Sequence, residues 1–285
     1  MIVRPIVIVS PPRSGSSLLF ETLSQSPDLW SVGGESHAVI ERVPGLHPAQ
    51  RGWHSNRLGA DAADPLTVRR LRRRFHAVLH DRDGRPPPAR HERLRLLEKT
   101  PRNALRIPFL RAVFPGATFL FLYREPAETM SSMLEGWRSG RHVSYPRLPG
   151  WRGPPWSFLL APHWRTLPPD DLAVVVAHQW ATTTRILLDD LASVPGGQRC
   201  TVAYAELVAD PAAAIGRLCD RLGLRWDRPI SVPLPVSRST FEPPQPGKWL
   251  RNAAELQGVL AATADVAARA AAASRADRPS AGPPG

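Results

Sequence analysis

The apolar run Ile6–Ser10 (IVIVS) passes directly into PPRSGSSLL, a stretch whose residue types suit the capture of an anion. A tight turn that opens a helix presents backbone N–H groups which no carbonyl of that helix can satisfy, and the helix dipole adds positive potential. Gly15 lets the backbone approach an anion closely, Ser14, Ser16 and Ser17 add hydroxyl donors, and Arg13 supplies charge. The nucleotide-hydrolysing pattern GxxxxGK[ST] is absent and no lysine stands nearby. The later strand FLFLY ends in Arg124, where a nucleotide-hydrolysing enzyme would often place an acid for Mg²⁺. The chemistry that fits is the holding of a phosphate-like group without a divalent clamp.

A second set of residues follows about 110 positions later. Arg124 emerges at the carboxyl end of its strand, in the crevice where open α/β sheets bind ligands. Ser132, eight residues on, lies off the Met130/Met133/Trp137 stripe, so the core does not claim it. Arginine has replaced lysine almost everywhere, and the two surviving lysines, Lys99 and Lys248, stand out as candidates for work that needs a compact ammonium.

The elements that must position these residues follow from periodicity. Short apolar runs alternate with helical patterns, the signature of an α/β domain with a mainly parallel sheet. Strands are predicted at Ile6–Ser10, Leu94–Glu98, Ala117–Tyr123 and Cys200–Ala203. Helices are predicted from the SGSS turn to about Gln25, from a Thr100 cap and Pro101 to about Phe114 with a kink at Pro108, from Pro126 over Met130, Met133, Leu134 and Trp137, from Leu172 to Leu191, and from Asp210-Pro211 to Gly223. Residues 40–92 add a basic helix around Val68–His80. Residues 139–169, rich in Trp, Pro, Arg and Gly, read as a long ordered loop or lid. After residue 261 the Ala-rich and then Pro-rich chain is expected to fray, with a disordered tip at 285.

The 285 residues suffice for one full-sized domain, assigned to 1–261. The net charge of +12 reads as a solvated basic surface, since Val68–Arg74 carries little aromatic interleaving and no nucleic-acid motif accompanies it. The apolar start is about five residues long, against the roughly 20 that a membrane span needs, and it lacks a signal-peptide cleavage pattern. Cys200 and Cys219 form neither a disulfide framework nor a metal spacing, so a cytoplasmic setting is expected.

VSPPRSGSSLL resembles the 5′-phosphosulfate-binding loop of sulfotransferases that use 3′-phosphoadenosine-5′-phosphosulfate (PAPS), and is most similar to the branch with Arg in the key position. That branch includes bacterial small-molecule sulfotransferases and the tyrosylprotein sulfotransferases. Arg124 and Ser132 stand at the spacing of the family's 3′-phosphate pair. EKTPRN, YAELVADP and SRSTFEPPQPGKW resemble three further family segments. The resemblance implies a P-loop-like three-layer α/β fold and transfer of a sulfuryl group from PAPS to the hydroxyl of a small or carrier-bound acceptor, with no metal. It implies a donor site made of Arg13, Ser14, Gly15, Ser16, Ser17, Leu18, Arg124, Ser132, Tyr204 and Lys248.

In-line sulfuryl transfer needs a base at the acceptor and cations at the sulfuryl and bridging oxygens. Glu35 is the candidate base, because the Gly33-Gly34 turn can return it to the phosphosulfate loop and the Arg-type branch places a catalytic Glu there. His37 is the runner-up. Lys99 joins Arg13 at the sulfuryl or bridging oxygens, and the family suggests a serine contact from Ser239 or Ser237. Trp151, Trp156 and Trp164 are expected on one wall of the acceptor pocket. A P-loop-type kinase and a nucleic-acid-binding module are the rival readings. The first lacks the lysine and carboxylates it needs, and the second would show salt-sensitive binding that survives loss of Arg13.

Overall fold

Four consecutive Ile and Val residues leave no polar face for water, and β1 (Ile6–Val9) is buried on both sides as the middle strand of a parallel sheet. The computed structural model describes residues 1–88, 93–237, 245 and 247–276. Its main sheet has the order β2-β3-β1-β4-β7, in which β2 is Leu29–Trp30, β3 Arg95–Lys99, β4 Thr118–Tyr123 and β7 Arg199–Ala203. Between β4 and β7 in sequence, β5 (Val143–Tyr145) and β6 (Trp156–Ser157) pair as a separate antiparallel hairpin. The pairings Ile8↔Lys99 and Ile8↔Leu120 set the carboxyl ends of β1, β3 and β4 side by side.

Strand alternation divides the core in two. Ile6, Ile8, Leu120, Leu122 and Val202 face α1 (Ser16–Leu23) and, from later in the chain, the helix Pro211–Leu222. Val7, Val9, Phe119 and Phe121 face the other way. They pack on α3 (Pro65–Val78), which follows the short α2 (His37–Glu41), on α4 (Ile107–Val113), and on the long helix Leu172–Ala192. The result is a three-layer α/β domain. A third cluster joins α5 (Pro126–Arg138), through Met130, Met133, Leu134 and Trp137, to α6 (Leu172–Ala192), through Val175, Val176 and Trp180. The chain then runs from β7 into α7 (Tyr204–Ala209), α8 (Pro211–Leu222), α9 (Ala253–Ala262) and α10 (Ala264–Ala276).

Three expectations are corrected. The helix foreseen from Thr100 to Phe114 is a 3-10 turn, Pro101–Leu105, followed by α4. Arg106 leaves helical geometry between them (φ −133°) and buries its guanidinium against Glu41, at 2.5 Å. Pro108 therefore sits in the first turn of a new helix, where a missing N–H costs nothing.

Trp156 and Trp164 are fully buried in the third cluster, where Trp156 donates its indole N–H to Leu159 O (3.1 Å) and Trp164 to Trp53 O (2.8 Å). They are core residues, and Trp151 packs edge-on against both. The Ala-rich segment does not fray directly after Ala262. In α10 Val266, Ala270 and Ser274 form a buried stripe at four-residue spacing, which small side chains allow to lie close to its neighbours. Residues 277–285 lie outside the described part.

Candidate active site

The loop between β1 and α1 is shaped by two left-handed residues, Arg13 (φ 65°) and Gly15 (φ 94°). Only glycine suits the second position. Its φ disfavours any side chain, and an added Cβ would fall 2.3 Å from Tyr204 Cδ2. Gly15 caps α1, so the free N–H groups of the first turn and the positive end of the dipole face the same cleft. Ser16, Ser17 and Leu18 line that cleft. Ser14 does not. It is buried, and its hydroxyl donates to Pro11 O (2.9 Å), which shapes the loop.

Arg13 Nε–H donates to Ser132 Oγ (3.2 Å) and one Nη1–H to His142 Nε2 (3.2 Å). Burial, with Arg124 nearby, lowers the Arg13 guanidinium to about 10, so it stays charged at neutral pH. Arg124, just past β4, donates through Nη1 to Arg13 O (3.0 Å) and through Nε to Glu128 Oε2 (3.0 Å), and lies 4.6 Å over the Tyr204 ring. Loop, strand end and α5 thus converge on a cleft of about 480 Å³. Lys248 stands at its wall, with Nζ 3.7 Å from Glu135 Oε2, and buried Ser237 lies on the same wall. Ser239 falls outside the described residues.

Beside the first turn of α1, Lys99 Nζ donates to Ser17 Oγ and to Glu35 Oε1, both at 3.2 Å. Only 5% of the Lys99 side chain is exposed, against 41% for Glu35, so the carboxylate is the reachable partner of the pair. Burial pushes the Glu35 carboxyl up, but the His37 imidazole and the Lys99 ammonium together hold it at about 2. His37 Nδ1 lies 3.6 Å from Glu35 Oε2. Lys99 and Ser17 also line a cavity of about 650 Å³ on the opposite flank of α1.

A second chamber of about 470 Å³ adjoins the first. Pro12, Glu35, Pro101, His142 and Phe158 belong to both walls, while His37, Trp53, Arg102 and Tyr145 line the second alone. His142 stacks on Phe158 with centroids 5.0 Å apart, and burial followed by the charge of Arg13 depresses its pKa to about 4. Its Nε2 must accept from Arg13, because a guanidinium can only donate, so the neutral ring carries its proton on Nδ1. Sequence reasoning missed His142, whose partner in the loop is 129 residues away.

The sulfotransferase family matches residues 5–228. The chain belongs to that family. The fold of this sulfotransferase is similar to the crystal structure of a sulfotransferase from Alicyclobacillus acidocaldarius, with 18% identity over 97% of this chain and 98% of that one and a TM-score of 0.51. The sulfotransferase domain of the Synechococcus PCC 7002 olefin synthase is 19% identical over 97% of each chain, with a TM-score of 0.49. No curated protein sequence matches the chain.

Most of the residues read from the sequence come together. Arg13, Gly15, Ser16, Ser17, Leu18, Arg124, Ser132, Tyr204 and Lys248 share one cleft, Glu35 borders it, and Lys99 reaches it through Ser17. His37 is on the second chamber alone. Among the described residues no cluster of His, Cys, Asp and Glu is arranged to hold a metal, and no helix is long and apolar enough to cross a membrane.

Proposed function

We propose that this sulfotransferase takes PAPS in the 480 Å³ cleft and an alcohol or phenol in the 470 Å³ chamber, small or attached to a carrier, with Glu35 as the base between them. The observation that carries the reading is the place of Glu35, on the wall common to both spaces and bonded through Lys99 to the first turn of α1. The residues present suit the donor. Backbone N–H groups and Arg13 would hold the phosphosulfate, and Arg124 and Ser132 the 3′-phosphate. Tyr204 and Leu18 offer apolar surface to the nucleoside, and Lys248 adds charge near the 5′-phosphate. When bound, PAPS supplies an activated sulfuryl group whose leaving group is a phosphate.

The chain's own residues supply alignment, charge and a proton acceptor. Glu35 Oε2 lies toward the acceptor side, where it can take the proton of the attacking hydroxyl. A carboxylate held near pKa 2 is a weak base, and the His37 hydrogen bond and the Lys99 ammonium hold it there. An anionic donor competes for that ammonium. As Lys99 turns toward the donor's oxygens, Glu35 loses a stabilising partner and becomes more basic as the acceptor is engaged. Arg13, braced by Ser132 and His142, stabilises charge on the sulfuryl oxygens. The reaction is expected to be metal-independent and to proceed in the cytoplasm, where the two buried cysteines remain reduced.

The test is PAPS turnover against a panel of alcohols and phenols, with and without EDTA, for wild type and Glu35→Gln. The variant should lower kcat on an alkyl alcohol by roughly two to four orders of magnitude and leave 3′,5′-ADP affinity little changed. EDTA should have no effect. Because Glu35 in the free enzyme is ionised far below neutrality, it should add no acidic limb to the wild-type kcat/KM profile between pH 5 and 8. Near-normal turnover by Glu35→Gln, with His37→Asn inactive, would move the base to His37.

A further inference from the structure

β3 ends in Glu98-Lys99, and Thr100 follows. Only Lys99 has a place in the mechanism above. Glu98 is 1% exposed and points away from Lys99, as strand alternation requires. Its Oε1 accepts from Ser36 Oγ–H and from Asn103 Nδ2–H, both at 2.6 Å, while Ser36 N–H donates to Thr100 Oγ1 at 2.8 Å. Ser36, Thr100 and Asn103 are themselves wholly buried. The second carboxyl oxygen, Oε2, is buried with no hydrogen-bond partner among the described residues.

A buried, half-satisfied acid is an expensive way to fill space. Its contacts indicate what it does. Ser36 directly follows Glu35 and precedes α2, and the three residues Glu98, Lys99 and Thr100 grip this turn at three points. Thr100 takes the Ser36 N–H, Glu98 the Ser36 hydroxyl, and Lys99 the Glu35 carboxylate.

We propose that Glu98 is a positioning residue that fixes the Ser36 turn and so keeps the Glu35 carboxylate on the wall shared by the two chambers. This rests on the reading of Glu35 as the base. Burial drives the Glu98 carboxyl up, toward its neutral form. A neutral Glu98 does not repel Glu35 and does not draw the Lys99 ammonium away from Ser17 and Glu35.

The experiment compares Glu98→Gln, Glu98→Ala, Glu35→Gln and the Glu35→Gln/Glu98→Ala double variant. It uses PAPS with two acceptors, the best alkyl alcohol of the panel and the acidic phenol 4-nitrophenol. Glu98→Ala should cut kcat on the alcohol about tenfold to a hundredfold, the usual cost of losing a residue that orients a catalytic group, while Glu98→Gln restores it. The loss should shrink on 4-nitrophenol, which needs the base less, and 3′,5′-ADP affinity should hold. In the Glu35→Gln background, Glu98→Ala should lower turnover by less than about twofold, since the group it acts through is gone.

Equal losses on both acceptors, or losses that multiply in the double variant, would overturn the positioning role and leave Glu35 as base. Full turnover by Glu35→Gln alone would remove the base and this proposal together. If Glu98→Ala does not fold, Ser36→Ala cuts the same hydroxyl–carboxyl bond and must give the same acceptor-dependent pattern.

Discussion

The loop between β1 and α1 and the segment 139–169 are both rich in residue types that suit ligand binding, yet they spend them differently. In the loop nearly every notable side chain or backbone group faces the cleft, with Ser14 the exception. In the later segment the large aromatic residues face inward. Trp156 and Trp164 fill the core against α5 and α6, and Gln179 holds the backbone by donating to Ser157 O (3.0 Å) and Leu159 O (2.8 Å). Toward both chambers this segment turns His142 and Phe158, and Tyr145 is among its residues that line the second alone. An anion loop is a local device, made by a turn and a helix start. The direction a tryptophan faces is settled by partners distant in sequence.

The largest effect should fall on the buried side of that contrast. Trp164→Ala should destabilise the protein by about 3–5 kcal/mol, as expected for emptying a fully buried aromatic site, measured by urea unfolding. Affinity for 3′,5′-ADP, taken well below the transition, should stay close to wild type. A variant with intact stability and altered acceptor choice would return Trp164 to the pocket wall.

The loop should respond in the opposite way. Gly15→Ala places a side chain in a left-handed position against the Tyr204 ring, at a cost on the order of 1–3 kcal/mol in backbone strain alone. Relief requires Tyr204 to move, and Tyr204 carries Arg124 above it. Calorimetry should therefore register weaker 3′,5′-ADP binding, with the acceptor-side chamber undisturbed. Unchanged nucleotide affinity would mean that the close approach of Gly15 to Tyr204 has no part in donor binding.

The same contrast governs how much could be read without coordinates. The sheet was legible because IVIVS and FLFLY are short unbroken apolar runs, which suit strands buried on both faces. The shaped loop ahead of α1 was legible because its Gly, Ser and Arg lie within a few residues of one another. The inward turn of the Ser14 hydroxyl was not legible, since a hydroxyl in a turn serves the turn's own carbonyls as readily as a ligand. The tryptophans were misassigned because composition says nothing of direction. His142 and Glu98 carried no local signal, for each gains its role from a residue 62 or more positions away. The break at Arg106 follows from Glu41, a partner that periodicity cannot show.

A smaller and more selective effect is expected at Phe158, which stands on the wall between the chambers. Phe158→Ala should raise acceptor KM about tenfold, in keeping with the loss of one aromatic contact, while 3′,5′-ADP affinity changes little. Steady-state kinetics with a phenol and an alkyl alcohol would check it. A collapse of nucleotide binding instead would mean that Phe158 serves the donor and not the acceptor.

The central claim is that one cleft holds both phosphates of a 3′-phosphorylated nucleotide, and titration calorimetry of 3′,5′-ADP against ADP tests it most directly. Wild type should bind 3′,5′-ADP far more tightly than ADP, because Arg124 and Ser132 stand ready for the 3′-phosphate. Arg124→Ala should bring the two affinities together, mostly by weakening the first, since a lost charge-assisted contact costs roughly 1.5–3 kcal/mol. Equal wild-type affinities, or a preference for 3′,5′-ADP that survives Arg124→Ala, would contradict the account.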